Sequence, residues 1–282
     1  MSASSLPAPP PDLTYPVLVG VLRAAGCVFA EDEARLLLAT AQTPGELSAM
    51  VGRRVDGLPL EHVLGWAEFC GLRIAVDPGV FVPRRRTEFL VGRAVDLVGR
   101  RPHAVIVDLC CGTGAVAAAL LAALDQPEVH AADIDPAAVR CARRNLPDPG
   151  RVYEGDLFDP LPVGLAGRID LLVVNAPYVP TGEIGFLPPE ARLHEPLVAL
   201  DGGADGLDIQ RRVTGAAARW LAPGGRLLIE TSESQAPLTV DAFARHGLNP
   251  RVLADEEMDA TVVVGEPARP ADVSCAQAAA ES

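Results

Sequence analysis

The sequence predicts a doubly wound α/β fold, a mostly parallel sheet with helices on both faces, preceded by a small helical unit. Three observations predict it. Short apolar runs alternate with helical patterns from Thr87 onward, a Gly-containing turn leads from the first of those runs into a helix at Ala115, and acidic side chains close successive runs. The length of 282 residues suits one large domain and a smaller one, and 49 % hydrophobic residues with only 4 % aromatics means a core of Ala, Val and Leu.

Residues 1–15 form a Pro-rich leader expected to be disordered. Residues 16–68 read as a helical domain. Its helices are Val17–Ala25, Asp32–Ala41 and a third opened by the capping box Thr43-Pro44-Gly45-Glu46, after which Leu47, Met50, Val51 and Val55 follow at helical spacing. Residues 69–86 read as a linking β-hairpin, with strands Phe69–Val76 and Val80–Val82 around the turn Asp77-Pro78-Gly79.

The α/β domain spans 87–267. Helix Glu88–Val98 leads to strand Ala104–Val107, helix Ala115–Leu124, strand Val129–Ala132 and helix Ala137–Asn145. Strands follow at Arg151–Glu154, Leu171–Val174 and Arg226–Ile229, with helix Leu207–Trp220 closed by Pro223-Gly224-Gly225. After helix Gln235–His246, the segments Arg251–Ala254 and Thr261–Val264 flank a short acidic turn, so they run antiparallel and end the sheet in a hairpin. Residues 268–282 lack periodicity and are expected to be disordered.

Composition excludes several function classes. The 24 basic residues are all Arg, so there is no Lys for a Schiff base, a pyridoxal phosphate anchor, a P-loop or a kinase site. A net charge of −13 argues against nucleic acid held by bulk charge. The longest apolar run, Ala115–Leu124, is far shorter than the roughly 20 residues of a membrane span. No secretory signal opens the chain, and a cytoplasmic location is expected. The six Cys have neither metal-ligand nor framework spacing, so reduced thiols and no metal are expected.

Chemistry concentrates at strand ends. Asp108-Leu109-Cys110-Cys111-Gly112-Thr113-Gly114 leads into a helix N-terminus, where glycines let the backbone approach a ligand and free N–H groups point at it. Gly112 to Ala117 also fits a dinucleotide fingerprint, which keeps an NAD-dependent oxidoreductase open. Asp133, at the end of the second strand, can accept both ribose hydroxyls of an adenosine. Asp156, at the end of the third, can accept an adenine amino group while Leu157 or Phe158 packs the ring. Three acids with no Arg or His among them suit the cationic sulfonium of S-adenosylmethionine better than a pyrophosphate. Asp135, before Pro136, reads as a helix cap.

Asn175-Ala176-Pro177-Tyr178 closes the fourth strand. An amide nitrogen is a poor nucleophile because its lone pair is delocalised, so alkylating it requires both N–H bonds to be held. The Asn175 side-chain oxygen and the Ala176 carbonyl can accept those hydrogens while Tyr178 packs against the amide plane. Pro177 biases Ala176 away from helical geometry and holds its carbonyl outward.

These segments together resemble the release factor glutamine methyltransferases, the HemK-like protein N5-glutamine methyltransferases. The likeness runs from about Glu31 to Gly265. It includes Glu61-His62-Val63-Leu64-Gly65, Val82-Pro83-Arg84, the Gly loop, Asp133, Gly155-Asp156, and Asn175-Ala176-Pro177-Tyr178 in place of Asn-Pro-Pro-Tyr. Glu195-Pro196 and Asp201–Leu207 follow in order. The resemblance implies a seven-stranded Rossmann-like sheet with an antiparallel last strand and an N-terminal domain that helps hold a protein substrate.

It implies cofactor contacts from Asp108, Cys110, Gly112 and Gly114, from Asp133 and Ile134, from Asp156 and Leu157, and from Asn175. Substrate contacts are implied for Arg84, Asn175, Tyr178 and Glu195, with Asn175, Ala176, Pro177 and Tyr178 as the catalytic turn. The chain departs from the family pattern at Cys110 and Cys111, at Ala176, and at Arg84-Arg85-Arg86-Thr87-Glu88, which stands for Arg-Pro-Glu-Thr-Glu. The expected activity is methylation of a protein glutamine amide, with a release factor's Gly-Gly-Gln loop as substrate. The alternatives are an N-methyltransferase of a small molecule or peptide, and an S-adenosylmethionine-binding protein without catalysis.

Overall fold

The computed structural model describes residues 13–267. The expected tail and all of the leader but Leu13, Thr14 and Tyr15 lie outside these. Helix α1 (Tyr15–Ala24) begins one residue inside the expected leader. With α2 (Ala30–Thr40), α3 (Pro44–Val55) and the short α4 (Leu60–Leu64) it buries a cluster that includes Leu18, Leu22, Leu37, Met50 and Val51. Thr43 caps α3 by accepting the Glu46 N–H at 3.1 Å, while the Glu46 carboxylate accepts from Gln42 N–H, one residue before the cap. Helix α4, at five residues, is too short for periodicity to reveal.

Charge ties these helices together. The Arg54 guanidinium, 8 % exposed, donates to both oxygens of Glu33 at 2.6 and 3.1 Å and to the Leu58 carbonyl at 3.0 Å. The nitrogen that donates to Leu58, Nη1, also meets Glu190 at 2.7 Å, far along the chain. Removing one partner of such a buried pair strands the other charge, at a cost of about 3–5 kcal/mol.

The hairpin differs from the expected one. Strand β1 (Trp66–Phe69) pairs with β2 (Leu72–Ala75), with Phe69 opposite Leu72, so the turn is the two residues Cys70-Gly71. Both have positive φ, +49° and +72°, as a tight hairpin turn between right-twisted strands requires. Asp77-Pro78-Gly79 does form a turn, closed by Val80 N–H on the Asp77 carbonyl at 3.1 Å, but Val80–Val82 is not a strand. Val80 and Val82 are nonetheless buried, Val80 against Ala138 and Cys141 of the main body. Apolar alternation there reports burial rather than a ladder.

From α5 (Thr87–Val98) onward, the expected alternation forms one sheet. Strand β3 (Val105–Leu109) is followed by α6 (Ala115–Ala123), β4 (Glu128–Asp133), α7 (Pro136–Asn145), β5 (Val152–Glu154) and β6 (Ile169–Val174). A mostly irregular stretch carrying α8 (Pro189–His194) leads to α9 (Asp208–Trp220), β7 (Leu221–Thr231), α10 (Ala236–Arg245), β8 (Leu248–Asp255) and β9 (Ala260–Pro267). The order across the sheet is β5-β4-β3-β6-β7-β9-β8, with β9 antiparallel to both neighbours. Pro223-Gly224-Gly225 does not separate helix from strand: Leu221 already pairs with Ile169, and the register shifts before Arg226 pairs with Leu171.

Two apolar layers flank the sheet. Leu90 and Val91 of α5, Ala117 and Leu120 of α6 and Val139 of α7 cover one face, where Ile106, Val173 and Leu228 point. Val213 and Ala217 of α9 and Phe243 of α10 cover the other, with Val107, Val174 and Ile229. Among the described residues, no helix is long and apolar enough to cross a membrane.

Candidate active site

Strand order reverses between β3 and β6, whose Leu109 and Val174 lie side by side. Chains leaving such a point diverge above and below the sheet and open a crevice at the carboxyl ends of the strands. A cavity of about 460 Å³ fills it here, within the range of small-molecule sites.

One half of the cavity is made by the ends of β3, β4 and β5. Gly112 takes φ +54°, with open space where a Cβ would stand. Its N–H donates to Asp133 Oδ2 at 2.8 Å, and Asp135 N–H donates to Asp133 Oδ1 at 2.9 Å. The carboxylate is thereby aimed, with lone pairs left for a ligand's hydroxyls. Burial pushes the Asp133 carboxyl above the ordinary range, against the pull of the N–H groups of Asp135 and Gly112. Half-exposed Ile134 offers an apolar surface beside it. Gly114, at φ +74°, caps α6 where it crosses α7: a Cβ there would stand 3.1 Å from the Ala142 Cβ.

The two cysteines diverge. Cys110, at φ +57°, lines the cavity, whereas Cys111 is buried in the apolar layer under α5 and α6. Burial, with Asp133 and Asp108 nearby, pushes both thiols well up, so both stay protonated. Asp135 caps α7 through Ala137 N–H at 2.8 Å, as expected.

The expected absence of Arg among the strand-end acids is corrected by the fold. Arg212 of α9 pairs with Asp156 at 2.6 Å and lines the same cavity. A helix 56 residues away in sequence delivers that cation, which no local pattern could announce. Leu157, at φ +50°, turns into the cavity beside it.

The other half is built around the turn after β6. Asn175, Ala176, Pro177 and Tyr178 all line the cavity. Asn175 Nδ2 donates to the Thr87 hydroxyl at 3.2 Å, which leaves Oδ1 without a protein partner and free to accept. Gln235 Nε2 holds the turn from behind by donating to the Tyr178 carbonyl at 2.8 Å and to the Asp205 carbonyl at 3.1 Å. Gly206, at φ +80°, permits that packing, since a Cβ would fall 2.2 Å from the Tyr178 oxygen. Burial raises the Tyr178 hydroxyl, so the ring is neutral.

Four predicted residues stand outside the main cavity. Gly112 serves it through its N–H on Asp133, and Gly114 through the close packing of α6 on α7. Asp108 faces a narrow side cavity of about 40 Å³ shared with Thr87, Cys110 and Asn175. Glu195 is buried: it takes Arg84 Nη2 on both oxygens at 2.6 Å and Val82 N–H at 3.2 Å. Arg84, stacked over Phe81 at 4.7 Å, does line the cavity. The pair clamps the segment before α5 onto the segment after α8.

The stretch around α8, Glu195 apart, is what sequence alone does not place at the site. Leu187, Pro188, Glu190, Ala191, Val198 and Leu200 form a wall of the cavity, and Glu190 is the group that Arg54 reaches from α3. Pro188-Pro189-Glu190 is a helix-opening signal that could have flagged α8.

Asp108 gives a stability prediction. It is 2 % exposed and accepts Ala117 N–H at 3.1 Å; burial raises its carboxyl to about 8. The folded state therefore holds a proton that the unfolded chain has released, so this group's contribution to stability falls as pH rises from the unfolded value toward 8. Asp108→Asn keeps an acceptor for Ala117 and removes the titration. Its melting temperature should vary less with pH than wild type between about pH 4 and 8, and parallel curves over that window would show Asp108 to be ionised throughout.

Residues 71–185 match the family model of the methyltransferase small domain. Over 211 residues the chain is 41 % identical to the release factor glutamine methyltransferase of Geobacter sulfurreducens, covering 72 % of each protein. It is also 38 % identical over 221 residues to 4-amino-L-phenylalanine/4-methylamino-L-phenylalanine methyltransferase of Streptomyces pristinaespiralis, covering 76 % of this chain and 75 % of that one. A solved methyltransferase from Pyrococcus furiosus has the same fold, with a TM-score of 0.53 at 15 % identity over 71 % of this chain and 90 % of that one.

Proposed function

This chain belongs to the release factor glutamine methyltransferase family, and from that premise we propose that it methylates the side-chain amide nitrogen of a protein glutamine. The Gly-Gly-Gln loop of a peptide chain release factor is the substrate. The cofactor is S-adenosylmethionine, which when bound supplies an electrophilic methyl group. One observation carries the reading: Asn175 lines the cavity with its Nδ2 engaged by Thr87, which leaves Oδ1 as the end of the amide able to accept.

The residues of the chain divide the work. Asp133 accepts the ribose hydroxyls, Ile134 and Leu157 pack the base, and the backbone at Cys110–Gly112 lies along the remainder. The aimed Asp133 carboxylate and the glycine-opened loop fit such a group. Asn175 Oδ1 and the Ala176 carbonyl accept the two N–H hydrogens of the glutamine amide, while Tyr178 packs against its plane. Fixing both hydrogens turns the nitrogen lone pair toward the methyl carbon, with the reacting atoms roughly 3–3.5 Å apart. S-adenosylmethionine would supply the methyl for the new N–C bond, its S–C bond breaking to leave a neutral thioether. The N-methylated amide cation then loses its proton to water, so no side-chain base is needed.

Arg84 sits at the mouth, held by Glu195, where it can meet the substrate backbone. Helices α1–α4 and the hairpin stand ready to hold the protein around the glutamine, joined to the cavity wall by Arg54 and Glu190. The test is mass analysis of a release factor incubated with the enzyme and S-adenosylmethionine. A gain of one methyl on the Gly-Gly-Gln glutamine is expected, and an unmodified factor would overturn the substrate.

The Streptomyces pristinaespiralis relative favours a second reading, N-methylation of a small amine. Arg84 and Arg86, both lining the cavity, would then face the acceptor's carboxylate. Turnover of free arylamine amino acids, with none on the factor, would select it.

A further inference from the structure

Glu230 takes no part in the steps above. Val174 pairs with Ile229 in the parallel ladder, so Asn175, the first residue past β6, and Glu230, still within β7, are the next residues on neighbouring strands. Val173 and Leu228, two residues before them, lie in the layer under α5, and strand alternation turns Asn175 and Glu230 to that same face. Glu230 is 2 % exposed, and neither carboxylate oxygen has a hydrogen-bond partner among the described residues. The Thr87 hydroxyl, at the start of α5, is the nearby donor that pulls its carboxyl down, short of a formed hydrogen bond.

A hydroxyl has one proton to give. Thr87 Oγ1 already accepts from Asn175 Nδ2, so its proton is free for Glu230. We propose that Glu230 is a positioning residue: its ionised carboxylate, acting through Thr87, fixes which end of the Asn175 amide faces the methyl acceptor. With Glu230 ionised, the order is Asn175 Nδ2–H to Thr87, then Thr87 O–H to Glu230, and Asn175 Oδ1 is presented to the cavity. With Glu230 protonated, the acid can donate to Thr87. The Thr87 proton then turns to Asn175, and the favoured amide orientation places Oδ1 inward and Nδ2 against the substrate's own NH2. This rests on the reading of Asn175 as the acceptor of the substrate hydrogens.

Burial raises the Glu230 carboxyl to about 7, against the pull of Thr87 and of Arg86. Arg86 comes from the start of α5 and pairs loosely with Asp259 of the β8–β9 turn at 3.8 Å. Tyr178 faces Glu230 from the turn after β6, and β9 sets apolar Val262 opposite it. The switch thus falls near neutrality, set by burial against the pull of Thr87 and Arg86.

The experiment follows the side-chain amide resonances of Asn175 in the full chain, assigned by their loss in Asn175→Ala, as pH crosses neutrality. A shift with a midpoint near 7 is expected in wild type, absent in Glu230→Gln and Thr87→Val and retained in Thr87→Ser. In parallel, kcat should fall on the acid side with the same midpoint, and Glu230→Gln should lose that limb. A midpoint that survives Glu230→Gln or Thr87→Val overturns the relay. Should Glu230→Gln fail to fold, the Thr87→Val and Thr87→Ser pair decides alone. A titrating Asn175 in an enzyme that methylates no glutamine would instead sink the substrate reading and leave the relay standing.

Discussion

Asn175→Ala is expected to cut turnover on the release factor by on the order of 10²–10³ while leaving the affinity for S-adenosylmethionine within a few-fold of wild type. The size follows from what Oδ1 does. It accepts one of the two N–H bonds that must be held for the amide lone pair to reach the methyl carbon, and that demand is greatest in the transition state. An acceptor used in that way changes kcat more than ground-state binding. Asn175→Asp is the informative companion, since it keeps an oxygen but loses the Nδ2 donor to Thr87 and with it the fixed orientation. Turnover of Asn175→Ala near the wild-type value, measured by mass analysis under saturating cofactor, would overturn the arrangement of the catalytic turn.

Asp133→Ala is expected to act on the cofactor. A carboxylate accepting two ribose hydroxyls contributes about 1.5–3 kcal/mol per charge-assisted bond, so the dissociation constant should rise by roughly 10²-fold or more. The same change frees the N–H groups of Gly112 and Asp135, which now close the loop onto β4. Calorimetric titration with S-adenosylmethionine and with NAD reads both possibilities at once. Unchanged affinity for the former would mean that the adenosine does not lie against the end of β4. Affinity for the latter would reopen the oxidoreductase reading.

The sheet was legible because its strands are short apolar runs set between helical patterns, and each run recurs as a strand within a few residues. The crevice acids and the Asn175 turn were legible because they sit at strand ends, where local sequence and site coincide. What escaped has a common cause. Arg212 reaches Asp156 across 56 residues, and Arg84 reaches Glu195 across 111, so neither pair has a local signature. Glu230 directly follows the expected strand Arg226–Ile229 with nothing local to mark it, and only the packing of α5 against β7 makes it a buried acid. The hairpin was misplaced because a Pro-Gly signal outweighed Cys70-Gly71, where one residue of the tight turn is a non-Gly with positive φ.

The position of β9 has a bearing on the order in which the chain can be completed. It is the last strand in sequence yet lies inside the sheet, between β7 and β8. Until residues 260–267 are synthesised, one long edge of β7 stays open, with Leu228 and Glu230 next to unpaired backbone. An unpaired apolar edge is a template for association with other chains. A nascent chain therefore carries its cofactor crevice and its adhesive edge together, and the final hairpin seals the edge. Stalled or truncated products ending before β9 should be captured by holdase chaperones, while the complete chain should not.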